Sequence, residues 1–327
     1  MKTPKQILIS RTDSIGDVCL TLPLCVALKK QFPSANLVYL CKSYTQAVVA
    51  CFEPIDEIMT LETLMQLTPE TRRANLARFD AVIHVFPNQT IANWCHDAKI
   101  PIRIGTSHRL FHWWTCTHRP RFSRKNSELH EAQLNFFLLK PLGVDAIPSR
   151  SDLNQPQAFH IPVASNPAGQ QLANAIILHP KSQGSGLEYP LANYMQLALL
   201  LAERGYQIYF SGTEKEGALF RDQIPQHPNI QDATGQWSLT EFIAIIGQVK
   251  ALVACSTGPY HVAGLAATRA IGLFSSRRPI HPGRWSAIGP KALALVHDPL
   301  CSECLKGAPC KCIEHISIES IADVIEK

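Results

Sequence analysis

The chain has 327 residues, 46% of them hydrophobic and 17% charged, with 31 Lys/Arg against 26 Asp/Glu and a net charge of +5. That length suggests two domains of ordinary size with real apolar cores. No apolar run approaches the roughly 18 residues needed to span a bilayer, and Met1–Gln6 leads straight into a strand pattern without an apolar signal-peptide core, so a cytoplasmic protein is expected.

In chain order, Gln6–Ser10 reads as a strand, Ile15–Phe32 as a helix, Asn36–Leu40 as a strand, Tyr44–Cys51 as a short helix and Glu57–Thr60 as a strand. Leu61–Arg78 reads as a helix and Ala81–Phe86 as an apolar strand, and a helical run Glu128–Leu139 stops at Pro141-Leu142-Gly143. Ser149–Asn174 is rich in Pro, Ser, Asn and Gln and lacks a sustained period, which marks a linker. The pattern then restarts: strand Ala175–Leu178, helix Leu191–Arg204, strand Tyr206–Phe210, helices Glu214–Ile224 and Leu239–Val249, strand Ala251–Ala254, helix Pro259–Ala267, strand Ala270–Phe274 and a closing helix Ile316–Ile325. Alternating β and α means parallel sheets covered on both faces. The expectation is α/β: two Rossmann-like domains, residues 1–165 and 166–327, facing a central cleft. G-x-G-x-x-G and Walker A sequences are absent, which argues against a nicotinamide enzyme or a P-loop NTPase.

Arg11-Thr12-Asp13-Ser14-Ile15-Gly16-Asp17 follows the first strand and opens a helix, where open α/β sheets bind ligands. Gly16 lets the backbone approach a ligand. Asp17 falls at the helix start, where the free N–H groups and dipole favour negative charge. A carboxylate held there stays ionised and can serve as a base; the plain alternative is a cap.

Three strand-end loops of the second half share one chemistry. His179-Pro180-Lys181-Ser182-Gln183-Gly184-Ser185-Gly186 offers a cation, hydroxyls and flexible N–H groups suited to phosphate. Ser211-Gly212-Thr213-Glu214-Lys215-Glu216 offers a cap at Thr213 and two carboxylates, one of which could hold a ribose hydroxyl, with capping the expected role of Glu214. Cys255-Ser256-Thr257-Gly258-Pro259-Tyr260-His261 is an anion-ready turn, with Pro259 in the first helical turn, Ser256 or Thr257 as cap and His261 as a donor one turn in.

Charge is uneven: residues 1–150 hold 18 Lys/Arg against 12 Asp/Glu, and residues 151–327 hold 13 against 14. Arg103, Arg109, Arg119, Arg121, Arg124 and Lys125 fall in one stretch without a carboxylate, around Trp113 and Trp114. This reads as a basic, aromatic-tipped loop for an anionic membrane surface and acidic sugars, against a solvated basic face with one buried Trp. Nucleic acid is the weaker partner, because no nucleic-acid motif accompanies the charge. Of the 11 cysteines, Cys19, Cys25 and Cys51 look like small buried hydrophobes. Cys301-x2-Cys304-x5-Cys310-x-Cys312 contains C-x2-C zinc spacing beside a less usual C-x-C; the leading expectation is no metal, with structural zinc as the minor one.

Taken together, Ser14-Ile15-Gly16-Asp17-Val18 with Leu22-Pro23 and Phe32-Pro33, and Ser256-Thr257-Gly258-Pro259-x-His261-x-Ala263, resemble the heptosyltransferase family of glycosyltransferases, which builds the lipopolysaccharide inner core. His179-Pro180 with Tyr189-Pro190, Gly212 with Glu216, and His130 before Leu142-Gly143 support the resemblance over nearly the whole chain. It implies a GT-B fold and an inverting transfer from ADP-heptose to a lipopolysaccharide core acceptor, without a cofactor. Asp17 would be the general base. Arg11, Ser14, Gly16, Arg119 and Arg121 would serve the acceptor. Lys181, Ser182, Glu216, Ser256, Thr257, Gly258 and His261 would serve the donor. The lipid-linked acceptor extends the expected location to the inner face of the inner membrane. The chain departs from the family at Ser256, where many members carry Asp, and at Leu187 and Tyr189, where many carry Lys and Trp. A different nucleotide-sugar donor, or a silent sugar- or lipid-binding relative, are the alternatives.

Overall fold

The computed structural model describes residues 3–124, 127–156, 158–163, 172–308 and 310–327. The chain divides into two compact units, one of Met1–Leu153 with Gln157–His160, the other of Asn154–Pro156 with Ile161–Lys327. The expected boundary at residue 165 lies outside the described residues.

The first unit has a five-stranded parallel sheet of β1 (Gln6–Ser10), β2 (Asn36–Cys41), β3 (Glu57–Thr60), β4 (Ala81–His84) and β5 (Ile102–Ile104) in the order β3-β2-β1-β4-β5. The second has β6 (Ala175–His179), β7 (Gln207–Phe210), β8 (Ile230–Asp232), β9 (Ala251–Ala254), β10 (Arg269–Phe274) and β11 (Ala292–Val296), also all parallel, in the order β11-β10-β9-β6-β7-β8. Counted within each unit these are the doubly wound orders 3-2-1-4-5 and 3-2-1-4-5-6 of Rossmann-like domains. Central strands are buried on both faces, so they read as unbroken apolar runs: β1, β4, β6 and β9 are buried almost throughout. One layer of the first core packs Leu8, Val38, Leu40 and Val82 against Ile91 and Cys95. In the second, Ile176, Leu178, Val253 and Ile271 pack against Tyr194, Leu197 and Leu201 of helix Leu191–Glu203 and Ile321 of helix Ile318–Glu326. Each such side chain contributes about 1.5–3 kcal/mol on burial.

Two long expected helices are broken by proline. Ile15–Phe32 forms helix Ile15–Cys19 and helix Leu22–Gln31, the second with Pro23 in its first turn. Leu61–Arg78 forms helix Leu61–Gln66 and helix Pro69–Leu76, with Thr68 capping the restart. Proline lacks the N–H that would continue the earlier ladder but suits a first turn. Glu128–Leu139 narrows to helix Glu131–Asn135 and a 3-10 run Phe136–Leu142 that ends at Gly143. Helix Gln89–Asp97 and strands β5, β8 and β11 were not expected.

Candidate active site

Doubly wound sheets bind ligands outside the carboxyl ends of the strands where the order reverses. In the first unit that place is the end of β1 beside β4, at Ser10-Arg11 and His84. In the second it is the end of β6 beside β9, at His179 and Cys255–Thr257.

At the end of β1, Ser14 is the N-cap of helix Ile15–Cys19, its Oγ accepting from the Asp17 N–H and donating to Asp17 Oδ2 at 2.6 Å. Asp17 lies in the first turn, and Gly16 is buried beside it. Arg11, only 3% exposed, extends its Nη2 to Asp17 Oδ1 and its Nε to Asp13 Oδ1, the latter at 2.8 Å. Arg11 therefore faces two carboxylates rather than solvent. Burial opposes its charge, but Asp13, Asp17 and Glu131 outweigh burial and raise its pKa. Asp13 is pushed up to about 6, chiefly by burial and further by Asp17, with Arg11 pulling the other way. The Tyr44 hydroxyl donates to the Asp13 carbonyl at 2.6 Å and pins the turn from outside. Asp17 keeps 18% of its side chain exposed.

Asp13 and His84 were not singled out beforehand. The signal for Asp13 was present in Arg-x-Asp-x-x-x-Asp, where one guanidinium can span both acids. His84 ends β4 opposite Ser10, is fully buried, stacks on His112 at 5.8 Å and makes no hydrogen bond among the described residues. Burial, then His112 and Arg103, press its pKa down to about 3, so it is neutral. Only the register of β1 against β4 could have revealed it.

The basic stretch divides in space. Arg103 turns inward to the carbonyls of Thr115 and Ile100, and Arg124 donates to Glu131 Oε1 at 2.8 Å, a carboxylate that the sequence places outside the stretch. Arg109 and Arg121 are exposed; Arg119 is half-buried and lies over the Trp113 ring at 5.1 Å. Lys125 lies outside the described residues. Both indoles are exposed, Trp113 at 57% and Trp114 at 67%, and Leu110 beside them at 73%. The picture of one buried Trp is thereby corrected.

In the second unit, Gly186 brings the 179–186 loop against the β9 turn: a Cβ on it would stand 3.3 Å from Ser256 Cβ, and Ser185 Oγ donates to the Ser256 carbonyl at 2.6 Å. Lys181 pairs with Glu188 at 2.8 Å, and the Ser182 N–H donates to the same carboxylate at 2.8 Å. The cation expected to be open at Lys181 is thus already paired. Tyr189 is buried with its hydroxyl on the Ile316 carbonyl at 2.7 Å, so it supports the loop from beneath. Glu216, not Glu214, closes the capping box: its Oε2 accepts from Thr213 N–H and Oγ at 2.7 and 2.9 Å. Glu214 instead forks onto Arg221. Glu216 Oε1 accepts from Gln183 Nε2 at 3.2 Å. Burial opposes the Glu216 charge, and the Thr213 hydrogen bonds and His179 overcome it, so its pKa is lowered.

Helix Gly258–Leu265 starts at Thr257 with Pro259 in its first turn, without an acidic residue there and without a side-chain cap. Thr257 Oγ1 is buried and makes no hydrogen bond among the described residues. Ser256 and His261 are buried next to it. Such a start presents N–H groups and a positive dipole end to an anion. A cavity of about 590 Å³ in the first unit, lined by Arg72, Arg73, Trp94, Lys99 and Arg103 among others, lies mainly between helices Pro69–Leu76 and Gln89–Asp97 and coincides with neither strand-end site.

Comparison with known proteins adds the family. The profile of glycosyltransferase family 9 (heptosyltransferase) matches residues 72–313, well over half of the chain. The chain is 22% identical over 291 residues to lipopolysaccharide heptosyltransferase 3 of Escherichia coli, covering 83% of this chain and 84% of that protein. Among solved structures it is similar to a family 9 glycosyltransferase of Veillonella parvula DSM 2008 (TM-score 0.78, 21% identity, 100% of this chain and 97% of that one). It is also similar to the E. coli ADP-heptose lipopolysaccharide heptosyltransferase II (TM-score 0.77, 16% identity, 98% and 97%). The two parallel-sheet units are thus those of a GT-B glycosyltransferase, and the chain belongs to glycosyltransferase family 9, the heptosyltransferase family.

Proposed function

We propose that this enzyme transfers a heptose from ADP-heptose to a sugar of the lipopolysaccharide core with inversion, Asp17 acting as general base. The observation that carries the reading is the Asp17 carboxylate itself: held by Arg11 and Ser14 in a first helical turn at the reversal point of the sheet, and still partly exposed. An acceptor hydroxyl bonded at Oδ2 would pass its proton to Asp17 as its oxygen forms the bond to the anomeric carbon. The bond from that carbon to the diphosphate breaks, and ADP leaves with the electron pair. The negative charge that develops on the diphosphate matches the uncapped start of helix Gly258–Leu265, with Thr257 and Ser256 as hydroxyl partners and His261 as donor. Lys181 and Ser182 would reach the donor by exchanging part of their bonding to Glu188, and Glu216 Oε1 would take a ribose hydroxyl in place of Gln183. Arg11 acts through Asp17 and Asp13, while Ser14, Gly16, Arg119 and Arg121 serve the acceptor.

A thermal-shift screen of nucleotide sugars, followed by ADP release with a core oligosaccharide acceptor, tests the reading. ADP-heptose should stabilise most, by about 2.7 kcal/mol at a hundredfold its Kd. Stronger stabilisation and turnover with another nucleotide sugar would move the assignment to the second reading, which Ser256 and the exposed Leu187 favour. Stabilisation without turnover would leave a silent binding relative. Leu110, Trp113 and Trp114, with Arg109 and Arg121, form the surface we assign to the anionic membrane that carries the acceptor, at the inner face of the inner membrane. No described helix is long and apolar enough to cross a membrane.

A further inference from the structure

The segment that leaves β11 and returns to helix Ile318–Glu326 has no part in the proposed transfer, yet it gathers four thiols. The sulfurs of Cys301, Cys304, Cys310 and Cys312 all lie within 4.8 Å of one another, with Cys301 to Cys310 at 3.5 Å and Cys310 to Cys312 at 3.0 Å. Four thiolates around one tetrahedral ion, each about 2.3 Å from it, stand roughly 3.8 Å apart, which is the middle of that range. Among the described residues no other group of three or more His, Cys, Asp or Glu donors converges in this way. We propose that these four cysteines form a structural metal site for one tetrahedral divalent transition-metal ion of the zinc or iron type.

The backbone explains the convergence. Cys301 is the N-cap of the short helix Ser302–Lys306, which carries Cys304, and the helix ends at Gly307 at φ +77. Gly307 and Ala308 fold back onto the carbonyls of Cys304 and Glu303, returning Cys310 and Cys312 to the first pair. The Cys312 N–H donates to Cys310 Sγ at 3.3 Å, which holds the second pair of cysteines together. Packing does not account for the group. Cys304 and Cys312 are buried, but Cys301 and Cys310 are only half-buried and neighbouring Leu300 and Leu305 point to solvent, so core filling accounts for at most two of the four thiols. A disulfide would use two sulfurs and leave the other two without a reason to be there; all four are free thiols. Soft thiolates in a four-coordinate cluster select zinc or iron over hard cations. The ion binds as each thiol gives up its proton. It would tie down the chain just before Glu314 and Ile316, whose carbonyls accept from Asn193 and Tyr189 at 3.2 and 2.7 Å.

The test is elemental analysis of the full chain purified under reducing conditions without chelator. It should give about one zinc or iron per chain, the element deciding between them. Cys304→Ser and Cys310→Ser should each lose the ion, whereas Cys95→Ala, in the first unit, should keep it. Because a serine variant can fail by misfolding, stripped wild-type protein titrated with Co²⁺ supplies an independent reading: thiolate-to-cobalt absorption should saturate at one equivalent and vanish when Zn²⁺ is added. Less than about a tenth of an ion per chain together with no cobalt signal would overturn the site. So would metal retained in both serine variants, or a disulfide among the four cysteines in the protein as isolated.

Discussion

Two turns border the reversal point of their own sheet, one after the first strand of its unit and one after the fourth, and carry opposite electrostatics. After β1, helix Ile15–Cys19 is capped by Ser14, holds Asp17 in its first turn and leans on the buried Arg11. After β9, helix Gly258–Leu265 has neither a capping side chain nor an acid in its first turn, and the hydroxyl of Thr257 makes no hydrogen bond among the described residues. A helix start attracts negative charge in either case. Where the chain supplies that charge, the turn becomes a held carboxylate; where it withholds it, the place is open for a ligand's phosphate.

Removing the charge from the first turn should have the largest effect. Asp17→Asn should lower kcat by at least about 10² while calorimetric affinity for ADP stays within about twofold; near-normal turnover would end the assignment of Asp17 as base. Arg11→Gln should leave Asp13 and Asp17 as adjoining carboxylates without their cation and cost about 3 kcal/mol of stability by urea unfolding. An unchanged midpoint would show that Arg11 is not what holds the two acids.

The two histidines that end β4 and β6 sharpen the comparison through pH. Burial lowers His84 to about 3 and His179 to about 4, the latter against an opposing pull from Glu216 and Glu188. Both folded values lie below the unfolded value near 6.5, so the unfolded chain takes up protons first. Their contribution is whole above pH 6.5 and is lost as pH falls, by about 2 kcal/mol per histidine at pH 5. Asp13 works the other way, since its raised value makes the folded state the better proton binder between about 4 and 6. The difference in slope between wild type and His84→Leu isolates the histidine; parallel stability curves would refute it.

Thr257→Asp copies the first turn's charge into the second and should weaken ADP about tenfold by calorimetry, with the fold intact; unchanged ADP affinity would show that the diphosphate does not sit there. The smallest expected change belongs to the basic, aromatic surface: Arg121→Ala should reduce sedimentation with anionic vesicles at low salt about fivefold. If wild-type protein does not sediment at all, the membrane assignment is lost.

The central strands were legible because both of their faces are buried, so β1, β4, β6 and β9 needed only their apolar runs. β5, as Ile-Arg-Ile, and β8, as Ile-Gln-Asp, are too short and too polar to declare themselves. The broken helices were legible in principle, since Pro23 and Pro69 stand where each restarts; the apolar period on either side concealed the break. Among site residues, Asp17 and the Thr257 turn were found because the residues that start their helices, Ser14 and Pro259, lie within three positions of them. The partners of Lys181 and Arg124 lie seven residues away, Glu188 in the same loop and Glu131 on a separate helix, and only folding showed that these cations are taken.

The sequence by itself determined the two parallel α/β units, the helix starts at both reversal points and the spacing of the four C-terminal cysteines, because those depend on local period, capping chemistry and covalent order. The tertiary structure alone decided which charges are satisfied. Arg11 is enclosed between two acids, His84 is buried at the end of β4 against His112, Glu216 gives one carboxylate oxygen to its own cap, and four sulfurs come within reach of one ion. Charge and coordination act through space, and the distances that govern them exist only once the strands have found their order.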